Sequence, residues 1–286
     1  MPGIQLQKSD SKTNTADNIQ SPPNYRKVSV DGKGVDFVTI VAHQMRTPLT
    51  SVKWYTDLLL SGKAGDLKHE QRDYLLDIYQ SNERMIRLVD NLLIIEQLEG
   101  NALPIITRST SLTGIVKSIV EEYQTFAKVN NIALVYYCDG ADMPAVKIDP
   151  IYMRLAIKNL IDNALRYTPK RGTVAIVCEE RKNGDKKSVI LKISDTGIGI
   201  PAEEQEKIFH KFYRSTESMV MQTEGTGLGL FIAKVVIERN GGKIWFTSRE
   251  NAAERSSFIP SGKHSTLAGE SATPGTTFYI ELPISS

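Results

Sequence analysis

Along the first third of the chain, apolar residues recur every three or four positions. After residue 104 they gather into short runs separated by polar turns. From Asp36 to Leu60 the apolar positions Val38, Val41, Met45, Leu49, Val52 and Leu59 fall on one stripe, which predicts a long helix. Ser61 to Asp66 is a polar stretch with two glycines, suited to a turn. A second helix is predicted from Lys68 to Leu98, with Leu75, Ile78, Met85, Val89, Leu92 and Ile95 on its stripe. Two such helices joined by a short loop make an antiparallel hairpin. Their stripes are too long for each to cover the other, so pairing of two hairpins into a four-helix bundle, and hence a homodimer, is expected.

Past Pro104 the spacing predicts strands near Ile105, Ile132 to Tyr137, Thr173 to Val177, Val189 to Ile193, Lys243 to Thr247 and Thr277 to Leu282. Helices are expected over Leu112 to Val129, Pro150 to Leu165 and Leu228 to Arg239. This alternation defines an α/β sandwich, one mixed sheet under helices. Residues 1–35 are rich in Ser, Asn, Asp, Lys and Pro and read as a disordered tail or linker. The remainder divides into a hairpin unit, 36–103, and an α/β unit, 104–286, in which 249–275 reads as a flexible insertion.

Composition changes this picture by exclusion. With 41% hydrophobic residues the chain can build true cores, and a net charge of +2 offers no strongly basic face for nucleic acid. No window resembles a membrane span or a signal peptide. The expectation is a soluble cytoplasmic chain, or the cytoplasmic portion of a larger receptor. Cys138 and Cys178 lie in apolar, strand-like surroundings without metal-ligand spacing and read as reduced core residues.

Four short constellations carry candidate chemistry. Asn159 and Asn163 stand one turn apart on a predicted helix, where both amides can face one ligand, and an amide oxygen is a hard neutral donor suited to Mg²⁺. Asp195-Thr-Gly197-Ile-Gly199 follows an apolar strand. Its carboxylate can accept from an adenine amino group, and its glycines let backbone approach a flat ligand. Gly225-Thr-Gly227-Leu228-Gly229 opens a helix and offers free N–H groups and a positive dipole end to phosphate. The glycines of this last run do not fit a dinucleotide site, because Met219 to Glu224 is not a strand and no βαβ unit surrounds them, and they lack the Gly-Lys-Ser/Thr ending of a P-loop.

In order and spacing, Asn159/Asn163, Asp195/Gly197/Gly199, Phe209/Phe212 and Gly225/Gly227/Gly229 resemble the N, G1, F and G2 boxes shared by histidine kinases, gyrase-type ATPases and chaperone ATPases. The run around Phe209 to Arg214 is similar to the histidine-kinase form, and His43-Gln-Met-Arg-Thr-Pro48 resembles the phospho-acceptor H box of the same family. The resemblance covers about Asp36 to Pro283. It implies ATP with its adenine on Asp195 and Mg²⁺-bound phosphates near Asn159 and Asn163. Arg166, Tyr167, Phe212, Arg214, Leu228 and Thr277 complete the nucleotide site, and Ser215 to Glu224 acts as a lid. His43 would take the γ-phosphoryl group and pass it to an aspartate of a response-regulator receiver domain.

Within that motif, Pro48 removes the helical bond to the Gln44 carbonyl and should kink the helix beside His43. Gln44 stands where the family commonly has an acidic residue, so help in managing charge on the attacking ring is expected to be reduced. Thr47 points from the face of His43. In similar kinases a threonine there positions water to dephosphorylate the regulator, and the alternative is a hydroxyl bonded back to a helical carbonyl. His69, His210 and His264 lack such a setting and read as surface residues. Two other activities keep the same architecture, an ATPase that drives a conformational clamp and a catalytically weak dimeric scaffold for regulator docking.

Overall fold

The computed structural model describes residues 37–99, 105–138, 143–184, 186–215, 225–249 and 274–284. The expected tail, most of the expected lid and nearly all of the expected 249–275 insertion, including His264, lie outside the described residues.

Helices α1 (Phe37–Leu60) and α2 (His69–Glu99) form the predicted hairpin, with Pro48 inside α1. The stripe divides into two lines of seven-residue spacing. Ala42, Leu49 and Thr56 on α1, and Asn82 and Val89 on α2, are buried. Offset by three residues, Met45, Val52 and Leu59 remain 43%, 40% and 36% exposed, and Ile78 and Met85 are exposed on α2. The predicted stripe on α1 thus falls mainly on the outward line, that on α2 is shared between the two, and the seam inside the hairpin runs along the inward line. A heptad repeat supplies both lines, because positions three and seven apart share adjoining sectors of a helix.

Packing divides the chain between Ile86 and Arg87, within α2, into a first unit to Ile86 and a second from Arg87. The sequence pattern places a division near residue 103. The difference arises because Ile95 and Leu98, in the last turns of α2, belong to the hydrophobic core of the second unit.

The second unit contains β1 (Arg108–Thr110), α3 (Leu112–Val129), β2 (Ala133–Cys138), β3 (Val146–Ile148), α4 (Pro150–Tyr167), β4 (Thr173–Asn183), β5 (Lys186–Asp195), α5 (Gly229–Arg239), β6 (Lys243–Arg249) and β7 (Gly275–Pro283). A mixed sheet runs β2-β4-β5-β7-β6. Its β2–β4 pair is parallel, and the other pairs are antiparallel. β1 and β3 form a separate antiparallel pair. The expected strand at Ile105 begins three residues later, and β3 is an element the pattern did not isolate. Helices α3, α4 and α5 bury Val116, Ile119, Met153, Ile157, Leu160, Ile161, Ile232 and Val236 against the inward residues Val174, Ile176, Cys178, Leu191, Ile193, Phe278 and Ile280. Cys178 is the expected free core cysteine, while the Cys138 side chain lies outside the described atoms.

The start of α4 is tied to the end of α5, which orients both helices. Asp149 caps α4 by accepting from the Ile151 and Tyr152 N–H groups at 3.0 and 3.3 Å. The Asp149 N–H donates to buried Asn240 Oδ1 at 2.7 Å, and Asn240 Nδ2 donates to Val236 O at 2.8 Å.

Candidate active site

Asp195 ends β5 with its carboxylate at the edge of the helix layer. Its Oδ1 accepts from the N–H groups of Gly197 at 2.8 Å and Thr276 at 3.2 Å. Burial pushes the carboxyl up to about 6, against the lowering effect of those two donors. A carboxylate held this way is ionised at pH 7.5 and keeps a second oxygen for a ligand's donor.

Backbone crowds the turn that follows. A Cβ on Gly197 would stand 2.5 Å from the Tyr167 carbonyl oxygen at the end of α4, and Gly199 has φ +77°. The Ile198 N–H donates to Tyr167 O at 3.4 Å, joining the turn to α4. Tyr167 therefore contributes main chain to this site. The Thr196 hydroxyl accepts from the Thr173 N–H at 2.9 Å and fixes the turn on β4.

The second glycine run meets the aromatic run. Gly227 has φ +69°, and a Cβ there would fall 2.6 Å from the Phe212 carbonyl carbon; Phe212 itself is exposed at φ +62°. Both residues occupy the left-handed region, which an L-residue such as Phe212 holds only under constraint from its surroundings. A Cβ on Gly225 would approach Arg214 Nε to 3.0 Å. Phe209 packs edge-on against Phe246 and Phe278 at 5.9 and 6.4 Å and anchors the run to the sheet.

Leu228 is buried at the N-cap of α5 and supplies no side-chain cap, so the first N–H groups of that helix keep their dipole and donors. Asn159 Nδ2 donates to Gly229 O at 3.3 Å. Its Oδ1 is the acceptor end of the same amide, the atom a cation needs. Asn163 stands one turn further along α4. Among the described residues no cluster of three His, Cys, Asp or Glu side chains could hold a metal ion; two amide-bearing side chains one turn apart on α4 are neutral oxygen donors of the kind that suits a Mg²⁺ sharing its remaining positions with phosphates. Arg166 is paired with Asp162 at 2.6 Å, one turn back on the same helix.

The expected member Thr277 lies away from the Asp195 carboxylate. It points to the opposite face of the sheet, where its hydroxyl donates to Ser194 Oγ at 3.0 Å. The threonine beside Asp195 is the buried Thr276, its direct partner in the β5–β7 register. The signal was available, because strand alternation sets Thr276 on the face of Phe278, Ile280 and Leu282. Ser248 was missed altogether. It accepts the Ile200 N–H at 2.7 Å and lies 2.9 Å from the Thr276 hydroxyl, linking the Asp195 turn to β6.

On the first unit, His43, Gln44 and Thr47 are exposed on α1. The Thr50 and Ser51 hydroxyls bond back to Arg46 O and Thr47 O at 2.8 and 3.2 Å, whereas the Thr47 hydroxyl bonds to no described residue. His69 pairs with Asp73 on the surface, and His210 is exposed.

A strand-end carboxylate, two glycine turns clamped on backbone, and an uncapped helix start over one mixed sheet define an ATP-binding sandwich, here joined to a helical hairpin that presents a histidine. Residues 148–286 match the family of histidine kinase-, DNA gyrase B- and HSP90-like ATPases, and residues 35–101 match the His Kinase A (phospho-acceptor) domain. The circadian input-output histidine kinase CikA of Synechococcus elongatus is 33% identical over 74% of this chain and 28% of that protein. The sensor histidine kinase WalK of Bacillus subtilis is 31% identical over 77% of this chain and 35% of that protein. Sensor protein SrrB of Staphylococcus aureus is 30% identical over 89% of this chain and 39% of that protein. Full-length ShkA in complex with AMPPNP shares the fold with a TM-score of 0.64 at 22% identity, over 87% of this chain and 46% of that one. The chain belongs to the sensor histidine kinases of two-component systems. It spans between 28% and 39% of the length of these curated relatives.

Proposed function

We propose that this chain uses ATP and Mg²⁺ to phosphorylate its own His43 and passes the phosphoryl group to an aspartate of a response-regulator receiver domain, acting as a homodimer in the cytoplasm. The observation that carries the reading is one chain holding both an exposed histidine beside a helical proline and a nucleotide-type carboxylate site. One relative named as a sensor histidine kinase, one named as a sensor protein, and a ThkA kinase of the same fold solved with the response regulator TrrA (TM-score 0.53, 22% identity, over 86% of this chain and 60% of that one) support the partner class.

Asp195 accepts a hydrogen bond from the adenine amino group through its free oxygen, and the Thr276 and Gly197 N–H groups hold the carboxylate in place through the other, Oδ1. The start of α5 and the Gly225–Gly229 run donate N–H groups to phosphate. Asn159 and Asn163 would hold Mg²⁺ through their amide oxygens, and the ion would supply charge neutralisation of the transferring group. A neutral ring nitrogen of His43 attacks the γ-phosphorus, the bond from phosphorus to the β–γ bridging oxygen breaks, and ADP leaves with that electron pair. The ring proton departs to water or is steadied by the Gln44 amide oxygen, which accepts a hydrogen bond but takes no proton. Thr47, its hydroxyl unspent on the helix, positions water for hydrolysis of the phosphorylated regulator.

The test is incubation of the full chain with γ-labelled ATP and Mg²⁺. Label on protein that is labile to acid and stable to alkali is expected. Steady release of free phosphate without labelled protein would move the reading to an ATPase clamp. Thr47→Ala should retain labelling and lose the regulator-directed hydrolysis; hydrolysis at the parent's rate would remove that role.

A further inference from the structure

Asn82 has no part in the steps above, yet it is the most completely buried polar side chain of the hairpin, at 1% exposure. It occupies the inward heptad line of α2, and the inward line of α1 carries Ala42, Leu49 and Thr56. Its Nδ2 donates to the backbone carbonyl oxygen of Leu49 at 2.8 Å. Its Oδ1 is buried and has no hydrogen-bond partner among the described residues. An amide with one end unpaired in an apolar seam lowers stability, and a leucine of similar size would avoid that cost. Stability therefore does not account for Asn82. A polar side chain at a core heptad position is instead a device for fixing how two helices register.

Register matters in this layer because Leu49 directly follows Pro48. Pro48 offers no N–H to the Gln44 carbonyl, and its ring crowds that carbonyl, so the turn joining His43 to Leu49 is the softest part of α1. The Thr50 and Ser51 back-bonds load the same turn, a pattern that bends helices. The Lys53–Glu83 ion pair at 2.7 Å also crosses between the helices. It is partly exposed and made by two long side chains, so it tolerates sliding that a short buried amide does not.

We propose that Asn82 is a positioning residue for phosphoryl transfer to His43. Bonded to the carbonyl just past Pro48, it holds the fulcrum about which the His43-bearing turn bends. Attack requires the reacting atoms within ~3–3.5 Å of one another, while a slip of one helical turn is ~5.4 Å, so a loose fulcrum misplaces the ring without touching the nucleotide. The inference rests on the reading of His43 as the phospho-acceptor.

The test compares Asn82→Leu and Asn82→Ala in the full chain. Measured are the labelling rate at saturating ATP, the ATP dissociation constant, the melting temperature and the dimer mass. Both variants should lose on the order of tenfold in rate with unchanged ATP affinity and dimer mass. Their melting temperatures should move apart, with Leu at or above the parent and Ala below it, so that rate follows the lost donor and not stability. A parental rate in either variant, a rate that tracks melting temperature, or failure of Asn82→Leu to fold would overturn the proposal. An unlabelled His43 in the parent removes the reading of the site and this inference with it. A labelled parent beside unaffected variants removes the inference alone.

Discussion

At the scale of single residues, the proposed role of Asp195 sets binding and stability in opposition. Its carboxyl is pushed up to about 6 from an ordinary 3.8, so between those values the folded chain holds a proton that the unfolded chain has released. Stability therefore falls as pH rises through that window, and the cost is complete above it. Asp195→Asn keeps an oxygen for the Gly197 and Thr276 donors and carries no charge. It should melt higher than the parent at pH 7.5, with the gap closing toward pH 4, and lose most of its ATP affinity. In the parent, ATP binding should weaken below about pH 6, approaching tenfold per pH unit; affinity flat to pH 5 would take the carboxylate out of adenine recognition. Thr276→Val should weaken ATP binding several-fold, because its hydroxyl joins the Asp195 turn to Ser248, while Thr277→Val, on the far face, should bind ATP as the parent does. Titration calorimetry on the two variants decides between them. The glycine turns were legible because close backbone approach and positive φ favour glycine, and strand alternation already set Thr276 on the face of Phe278, Ile280 and Leu282; its pairing with Asp195 depends on strand register, which only the sheet reveals. Gln44→Glu should raise the labelling rate, by less than the ~10² of full general-base assistance, at constant ATP affinity. An equal or lower rate would refute the role given to the Gln44 amide.

At the scale of elements, the hairpin carries two heptad lines, and the outward one lacks a partner within the described chain. Val52→Glu on that line should convert dimer to monomer by light scattering with helicity retained, because a carboxylate in the middle of a bundle seam is desolvated. A dimer of unchanged stability would show that another surface brings the copies together. Periodicity exposed both helices and their turn, since Val, Leu and Ile at three-four spacing leave little alternative. It did not separate inward from outward lines, because the seam is built partly from Ala42, Thr56 and Asn82, residues that a count of apolar side chains passes over. β3 escaped for a similar reason. Three residues long, its Val146-Lys-Ile148 alternation is too short to distinguish from a loop, and pairing with β1 alone identifies it. The ends of α4 and α5 were read closely, because Asp149-Pro150 is a strong helix start and Asn240-Gly-Gly a strong stop.

At the scale of the whole molecule, the chain divides into two units with their own packing, and the proposed function gives His43 to one and the nucleotide to the other. A chain so divided permits one function to be removed while the other stays. His43→Ala changes an exposed side chain on α1, so it should leave the Asp195 site, the Gly197 turn and the start of α5 as they are. The measurement is protein labelling by γ-labelled ATP with Mg²⁺, run beside ATP titration, on the parent and on His43→Ala. The account predicts label in the parent, none in the variant, and the same ATP dissociation constant for both; label persisting on the variant would contradict it.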